Sequence, residues 1–136
     1  MGPTGNLHGV VGIVDDDQAV RDALCNLLAS VGLDATGFSS AEELIESRQS
    51  TKFDCLILDV RLLGMSGPEL QLRLTEDGNI IPIIFITAHA DHRVHTRALE
   101  NGAAAFFYKP IHSEALLDAL WAALSQASQS PLRPSP

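Results

Sequence analysis

The chain has 136 residues, 46 % of them apolar and 19 % charged, enough for one domain with one sizeable core. Its formal net charge of −8 argues against gripping nucleic acid unaided, because phosphate contacts need clustered Lys and Arg. No apolar run approaches the roughly 18–20 residues of a bilayer span, and the N-terminus lacks the basic-then-apolar pattern of a secretory signal, so no membrane association is expected.

Residues 1–8 are polar and Gly-rich and read as a flexible lead-in. Residues 10–14 form an apolar run, the first predicted strand, which ends in Asp15-Asp16-Asp17. Asp17 reads as a helix N-cap. Val20, Leu24, Leu27, Leu28 and Val31 then recur at helical spacing, with Gly32 as the stop. Residues 33–38 mix polar and apolar side chains, which suits an edge strand. Ser39 or Ser40 caps a second helix, with Glu42 and Glu43 in capping-box register and a modest apolar share from Leu44 and Ile45.

The run Cys55-Leu56-Ile57-Leu58 has no polar alternation, as a strand buried on both faces should read, and it ends on Asp59. The break at residues 64–68 precedes a third helix, capped by Ser66 and Glu69 and running to about residue 77. Residues 80–86 are the strongest apolar run, with Pro82 near the start and Thr87 at the end. A fourth helix spans 91–100. A last strand at 103–107 leads into Tyr108-Lys109-Pro110, and a fifth helix covers 113–126, where Leu117 and Trp121 are expected in the core. The Ser/Pro-rich residues 128–136 read as a disordered tail or linker stub, leaving 9–127 as the domain. Cys25 and Cys55 fall in a helix and a strand and read as buried thiols of a reducing compartment, not as a disulfide or a metal pair.

Five strands alternating with five helices through short connections give an α/β fold with a single doubly wound, five-stranded parallel sheet. The polar second strand belongs at an edge, which favours order 2-1-3-4-5, the flavodoxin-like arrangement. In a parallel sheet the strand ends share one edge, so Asp15, Asp16, Asp59, Thr87 and Lys109 converge there. Three crowded carboxylates repel unless one keeps its proton or a cation sits among them, and a small oxygen-loving ion such as Mg²⁺ resolves this. Asp59 is then free to act as a nucleophile toward phosphorus, with Thr87 and Lys109 to meet the phosphoryl oxygens. Lysine is scarce, occurring only as Lys52 and Lys109, which makes its placement here informative.

The segments Ile13-Val14-Asp15-Asp16-Asp17, Leu58-Asp59-Val60-Arg61, Met65-Ser66-Gly67, Ile86-Thr87-Ala88 and Lys109-Pro110 together resemble the receiver domain of two-component response regulators, over about residues 9–126. The stretch after Asp59 and the segment 87–91 are most similar to receivers of the nitrogen-fixation-regulator type, which drive LuxR-type DNA-binding outputs. The resemblance implies Asp59 as phosphoacceptor and Asp15, Asp16, Asp59 and the Arg61 carbonyl as the Mg²⁺ site (Asp15 through water), with Mn²⁺ as a substitute. It implies Thr87 and Phe106 as the switch pair and a cis Lys109–Pro110 bond. Phe106 stands where many relatives carry Tyr, so packing alone must favour its buried rotamer. Leu63 stands where this type often has Pro, and Arg61 and His89 flank the line of attacking water, where they bear on phosphate lifetime.

The function implied is a cytoplasmic signalling switch, not an enzyme. A sensor histidine kinase donates a phosphoryl group to Asp59, and the face of helix 4, strand 5 and helix 5 changes its partners, including a phosphorylation-dependent homodimer. Transcription through a separate DNA-binding domain is the expected output, and a stand-alone receiver serving a phosphorelay or docking role is the alternative. An aspartyl phosphatase is disfavoured because its second acid, two residues after the nucleophile, is replaced by Arg61. A dinucleotide binder would need a Gly-rich first turn where Asp15 to Asp17 stand. His89, His92 and His95 have no acid or Cys at a spacing suited to a metal site and read as exposed helix histidines.

Overall fold

Strand and helix alternate as the apolar runs require, in a computed structural model that describes residues 8–129. In chain order the elements are β1 (Val10–Val14), α1 (Gln18–Ser30), β2 (Asp34–Phe38), α2 (Ala41–Ser47), β3 (Cys55–Asp59), α3 (Gly67–Glu76), β4 (Ile83–Thr87), α4 (His92–Glu100), β5 (Ala105–Tyr108) and α5 (Ser113–Gln129), with a 3₁₀ turn at Ser50–Lys52. All strands pair in parallel in the order β2-β1-β3-β4-β5. Of the expected lead-in only His8 is described; the tail expected from 128 lies outside the described residues except for 128 and 129, which α5 takes in.

The sheet is the middle of three layers, and alternation along each strand decides which layer a side chain meets. Cys55 and Ile57 of β3 join Val11, Ile13, Ile84 and Ile86 under Leu24 and Leu28 of α1 and Leu116 and Leu120 of α5. Leu56 and Leu58 turn the other way, with Val14 and Phe85, toward Leu44 of α2, Leu70 and Leu74 of α3 and Ala98 of α4. That is why β3 reads as unbroken hydrophobicity: both of its faces are covered. β2, paired on one side only, exposes three of its five residues.

Helix starts follow local chemistry. Asp17 caps α1 by accepting from the Ala19 N–H, and Ser66 and Glu69 close a full capping box on α3. Ser40 caps α2, but the Glu43 carboxylate reaches back to the Ser39 N–H, one residue before the cap. Gly32, at φ +89°, turns the chain out of α1, and the Leu33 N–H bonds the Leu28 carbonyl.

Five expectations need correction. β4 begins at Ile83, not at residue 80, because Pro82 has no N–H to give the ladder; Ile80 is 88 % exposed. β5 begins at Ala105, not at 103, since the Ala103 N–H bonds the Ala98 carbonyl and finishes the turn after α4. β2 likewise loses Leu33 to the close of α1. Trp121, expected in the core, is 43 % exposed, because the buried stripe of α5 runs through Leu116, Leu120, Ala123 and Leu124 and leaves it at the margin. Cys25 is only half-buried, whereas Cys55 is fully buried, and burial pushes its thiol up to about 12; both are free.

Candidate functional site

Register brings the strand ends together. Val14 of β1 pairs with Leu58 of β3, so Asp15 and Asp59 follow side by side on adjacent strands. Asp59 pairs with Ile86, which sets Thr87 one step further along β4, and Thr87 pairs with Tyr108, which sets Lys109 one step beyond β5. The Lys109 N–H bonds the Thr87 carbonyl at 2.7 Å, and the Lys109–Pro110 peptide is cis.

Here the ammonium of Lys109 lies 2.9 Å from Asp15 Oδ2 and 3.1 Å from Asp59 Oδ2. It crosses 94 and 50 positions of sequence to do so. The remaining oxygens are held locally: Asp15 Oδ1 accepts from the Asp17 N–H at 2.8 Å and Asp59 Oδ1 from the Arg61 N–H at 3.1 Å. Asp15 and Asp59 are buried while Asp16 is exposed, and one oxygen from each of the three lies within 4.8 Å of the others.

Burial pushes the Asp59 carboxyl above its ordinary value, and the Asp15 charge adds to this; the Arg61 N–H and Lys109 pull the other way without prevailing. For Lys109 burial disfavours the ammonium, but its hydrogen bonds to Asp15 and Asp59 and their charges outweigh that, so its pKa rises. One ammonium thus serves two carboxylates and leaves a third beside them. Such an excess of hard oxygen donors suits a small divalent cation. With one oxygen each already within 4.8 Å of the others, Asp15, Asp16 and Asp59 would gather around such an ion with little movement. The residues present fit it.

Thr87 stands at the same edge but is turned aside. Its Oγ1 accepts from the His89 N–H at 3.0 Å and donates to the His89 carbonyl at 3.3 Å rather than meeting a carboxylate. A cavity of about 390 Å³ opens beside it, with Arg61, Pro68, His89, Val94 and Phe106 among its walls. His89, His92 and His95 form no metal group; among the described residues that geometry belongs to Asp15, Asp16 and Asp59 alone.

Residues 11–121 match the response regulator receiver domain. The chain belongs to this family. The receiver domains of two-component systems share its fold, and the response regulator StyR, 44 % identical, superposes with a TM-score of 0.81 over 88 % of this chain and 60 % of StyR. Among curated relatives, the response regulator protein TodT of Pseudomonas putida is 46 % identical over 120 residues, 88 % of this chain and 53 % of TodT. The transcriptional regulatory protein FixJ of Bradyrhizobium diazoefficiens is 34 % identical over 119 residues, 88 % of this chain and 58 % of FixJ. The receiver therefore spans little more than half the length of these relatives.

Three contacts around the receiver's acidic pocket had no signature in the sequence. Arg21 of α1 donates from Nη1 to the Asp15 carbonyl at 2.6 Å, with its aliphatic stem against Gly37, so it ties the end of β1 to β2. Glu42 of α2 accepts from the Met65 N–H at 2.8 Å, and that bond holds its carboxyl below the usual range. This contact tethers the loop after β3, where Leu63 is exposed. Gly67 opens α3 directly against the Asp59 carbonyl, with its N–H bonded to the Val60 carbonyl at 3.1 Å. A Cβ at position 67 would run into that carbonyl and crowd the Phe85 ring. Gly67→Ala is therefore expected to cost about 1–3 kcal/mol in urea unfolding; an unchanged midpoint would show that the loop yields freely.

Proposed function

We propose that this receiver accepts a phosphoryl group from a sensor histidine kinase onto Asp59, and that the modification switches the face built by α4, β5 and α5. The observation that carries the reading is the shared grip of Lys109 on Asp15 and Asp59, with Asp16 beside them. Asp16, Asp59 and the Arg61 carbonyl would hold Mg²⁺, with Asp15 acting through water, and the ion would neutralise charge at the phosphoryl oxygens; Mn²⁺ would be an acceptable substitute.

The residues of the chain do the rest. An Asp59 oxygen attacks phosphorus in line with the departing imidazole of the donor histidine; the O–P bond forms as the P–N bond breaks. Lys109, already at hydrogen-bond distance from the nucleophile, turns toward the incoming phosphoryl oxygens and meets them as a compact charge. Thr87 Oγ1 gives up its bond to the His89 carbonyl for a phosphoryl oxygen, and Phe106 moves into the space it vacates. The population then shifts to a form with a different α4-β5-α5 face, which favours a homodimer and passes the signal to a DNA-binding output domain in the cytoplasm. The bare receiver, at a net charge of −8, leaves DNA contact to that domain.

Incubation with acetyl phosphate and Mg²⁺ followed by intact-mass measurement tests this. One phosphoryl adduct is expected, absent without the metal and absent in Asp59→Ala. An adduct that persists in Asp59→Ala would remove the assignment.

A further inference from the structure

The proposed switch requires Phe106 to move, and the structure has a neighbour stacked on it. His95 of α4 lies over the Phe106 ring with centroids 4.4 Å apart and planes 8° from parallel. The imidazole is itself held: its Nδ1 is 3.0 Å from the Tyr108 hydroxyl, and the Tyr108 ring meets both Phe106 and His95 edge-on at 5.5 and 5.7 Å. On its other side Phe106 packs against the core, with the tilted Phe85 ring 6.0 Å away, and lines the cavity that leads to Thr87. Phe106 is therefore gripped from outside and faces open space inside.

We infer that His95 is a positioning residue that clamps Phe106 at the wall of the cavity beside Thr87 rather than within it, with Tyr108 fixing the imidazole plane, and so sets how readily Asp59 is phosphorylated. The inference rests on the proposed phosphoryl switch. Phe106 has no polar atom, so packing decides between its two positions, and a stacked partner on one side biases that choice. A parallel aromatic contact of this kind shifts a two-state equilibrium by between about two- and tenfold. By linkage, whatever disfavours the inward ring disfavours the phosphorylated form, and with the inward form as the reactive one the rate of phosphorylation scales with its population. The hydroxyl–imidazole bond keeps the stacking surface from rotating away, and the His92 ring, 6.4 Å from that of His95, flanks it.

The test compares His95→Ala, which removes both stack and hydrogen bond, with His95→Phe, which keeps the stack, and Tyr108→Phe, which removes only the hydroxyl. Phe106 rotamer populations are read by aromatic carbon NMR in the unmodified protein, and adduct formation from acetyl phosphate is followed by intact mass. His95→Ala is expected to raise both the inward population and the adduct rate by between about two- and tenfold. His95→Phe and Tyr108→Phe, each of which keeps a stacked ring but loses the hydroxyl–imidazole bond, should both fall between His95→Ala and wild type. An unaltered rotamer population in His95→Ala overturns the clamp. Were wild type to take no phosphate on Asp59, the switch itself would fall, while the NMR comparison would still decide whether His95 holds Phe106.

Discussion

Replacing Lys109 with methionine is expected to destabilise the metal-free receiver by about 2–3 kcal/mol at neutral pH. Removing one partner of a buried ion pair costs about 3–5 kcal/mol, because the charge left behind has lost its compensation. The lower figure applies here because the Lys109 side chain keeps 21 % exposure and the stranded carboxylates can share a proton. The pH dependence has two limbs. Lys109 has its pKa raised on folding, so its contribution is fully present below 10.5 and is lost as pH rises through the folded value. On the acid side the deficit shrinks as Asp59 takes up its proton. Urea unfolding of both proteins across pH measures this, and equal stability at neutral pH would show that Lys109 compensates nothing. Adduct formation from acetyl phosphate should fall by about 100-fold in the same variant, the scale of removing one preorganised charge from a transition state.

Asp59→Asn should do the reverse to stability, raising it by roughly 1–2 kcal/mol in the absence of metal. Two unit charges about 4 Å apart repel by on the order of 4 kcal/mol at an effective dielectric near 20. The charge-assisted bond to Lys109 forgone in the variant contributes about 1.5–3 kcal/mol, and Lys109 keeps Asp15 in any case. Repulsion wins. The sign follows from the raised carboxyl: the folded state holds the Asp59 proton more tightly than the unfolded chain, so wild type recovers stability as pH falls. The advantage of Asn is therefore present above the folded pKa and gone once pH drops below 3.8, where Asp59 is protonated in both states. Mg²⁺ inverts the order. At a hundred times its dissociation constant it adds about 2.7 kcal/mol to wild type and much less to the variant, which lacks the proposed Asp59 ligand. Thermal melts with and without Mg²⁺ check the crossover; a wild type indifferent to the ion would remove the metal site from the proposal.

Both effects arise because the fold gathers like charges it could have kept apart, which is the mark of a site shaped for a ligand. Much of that gathering was legible in the chain. Unbroken apolar runs such as residues 55–58 and 83–86 announce strands covered on both faces, and a polar second strand announces an edge; those two facts order the sheet. Once the strands are parallel, the acids, hydroxyl and ammonium at their ends share one edge, whatever their distance in sequence. The boundaries at Ile83 and Ala105 were less legible, because hydropathy continues past the point where ladder hydrogen bonds begin.

Hydrophobic period, capping residues and turn glycines act over a few positions, so the sequence by itself determined the element order, the parallel sheet and the edge that carries Asp15, Asp59, Thr87 and Lys109. Tertiary structure alone decided which atoms meet. It turned the Thr87 hydroxyl to His89, brought Glu42 to Met65 and laid His95 on Phe106. Those contacts depend on side-chain directions across separate elements, to within about an ångström, and no local pattern encodes them.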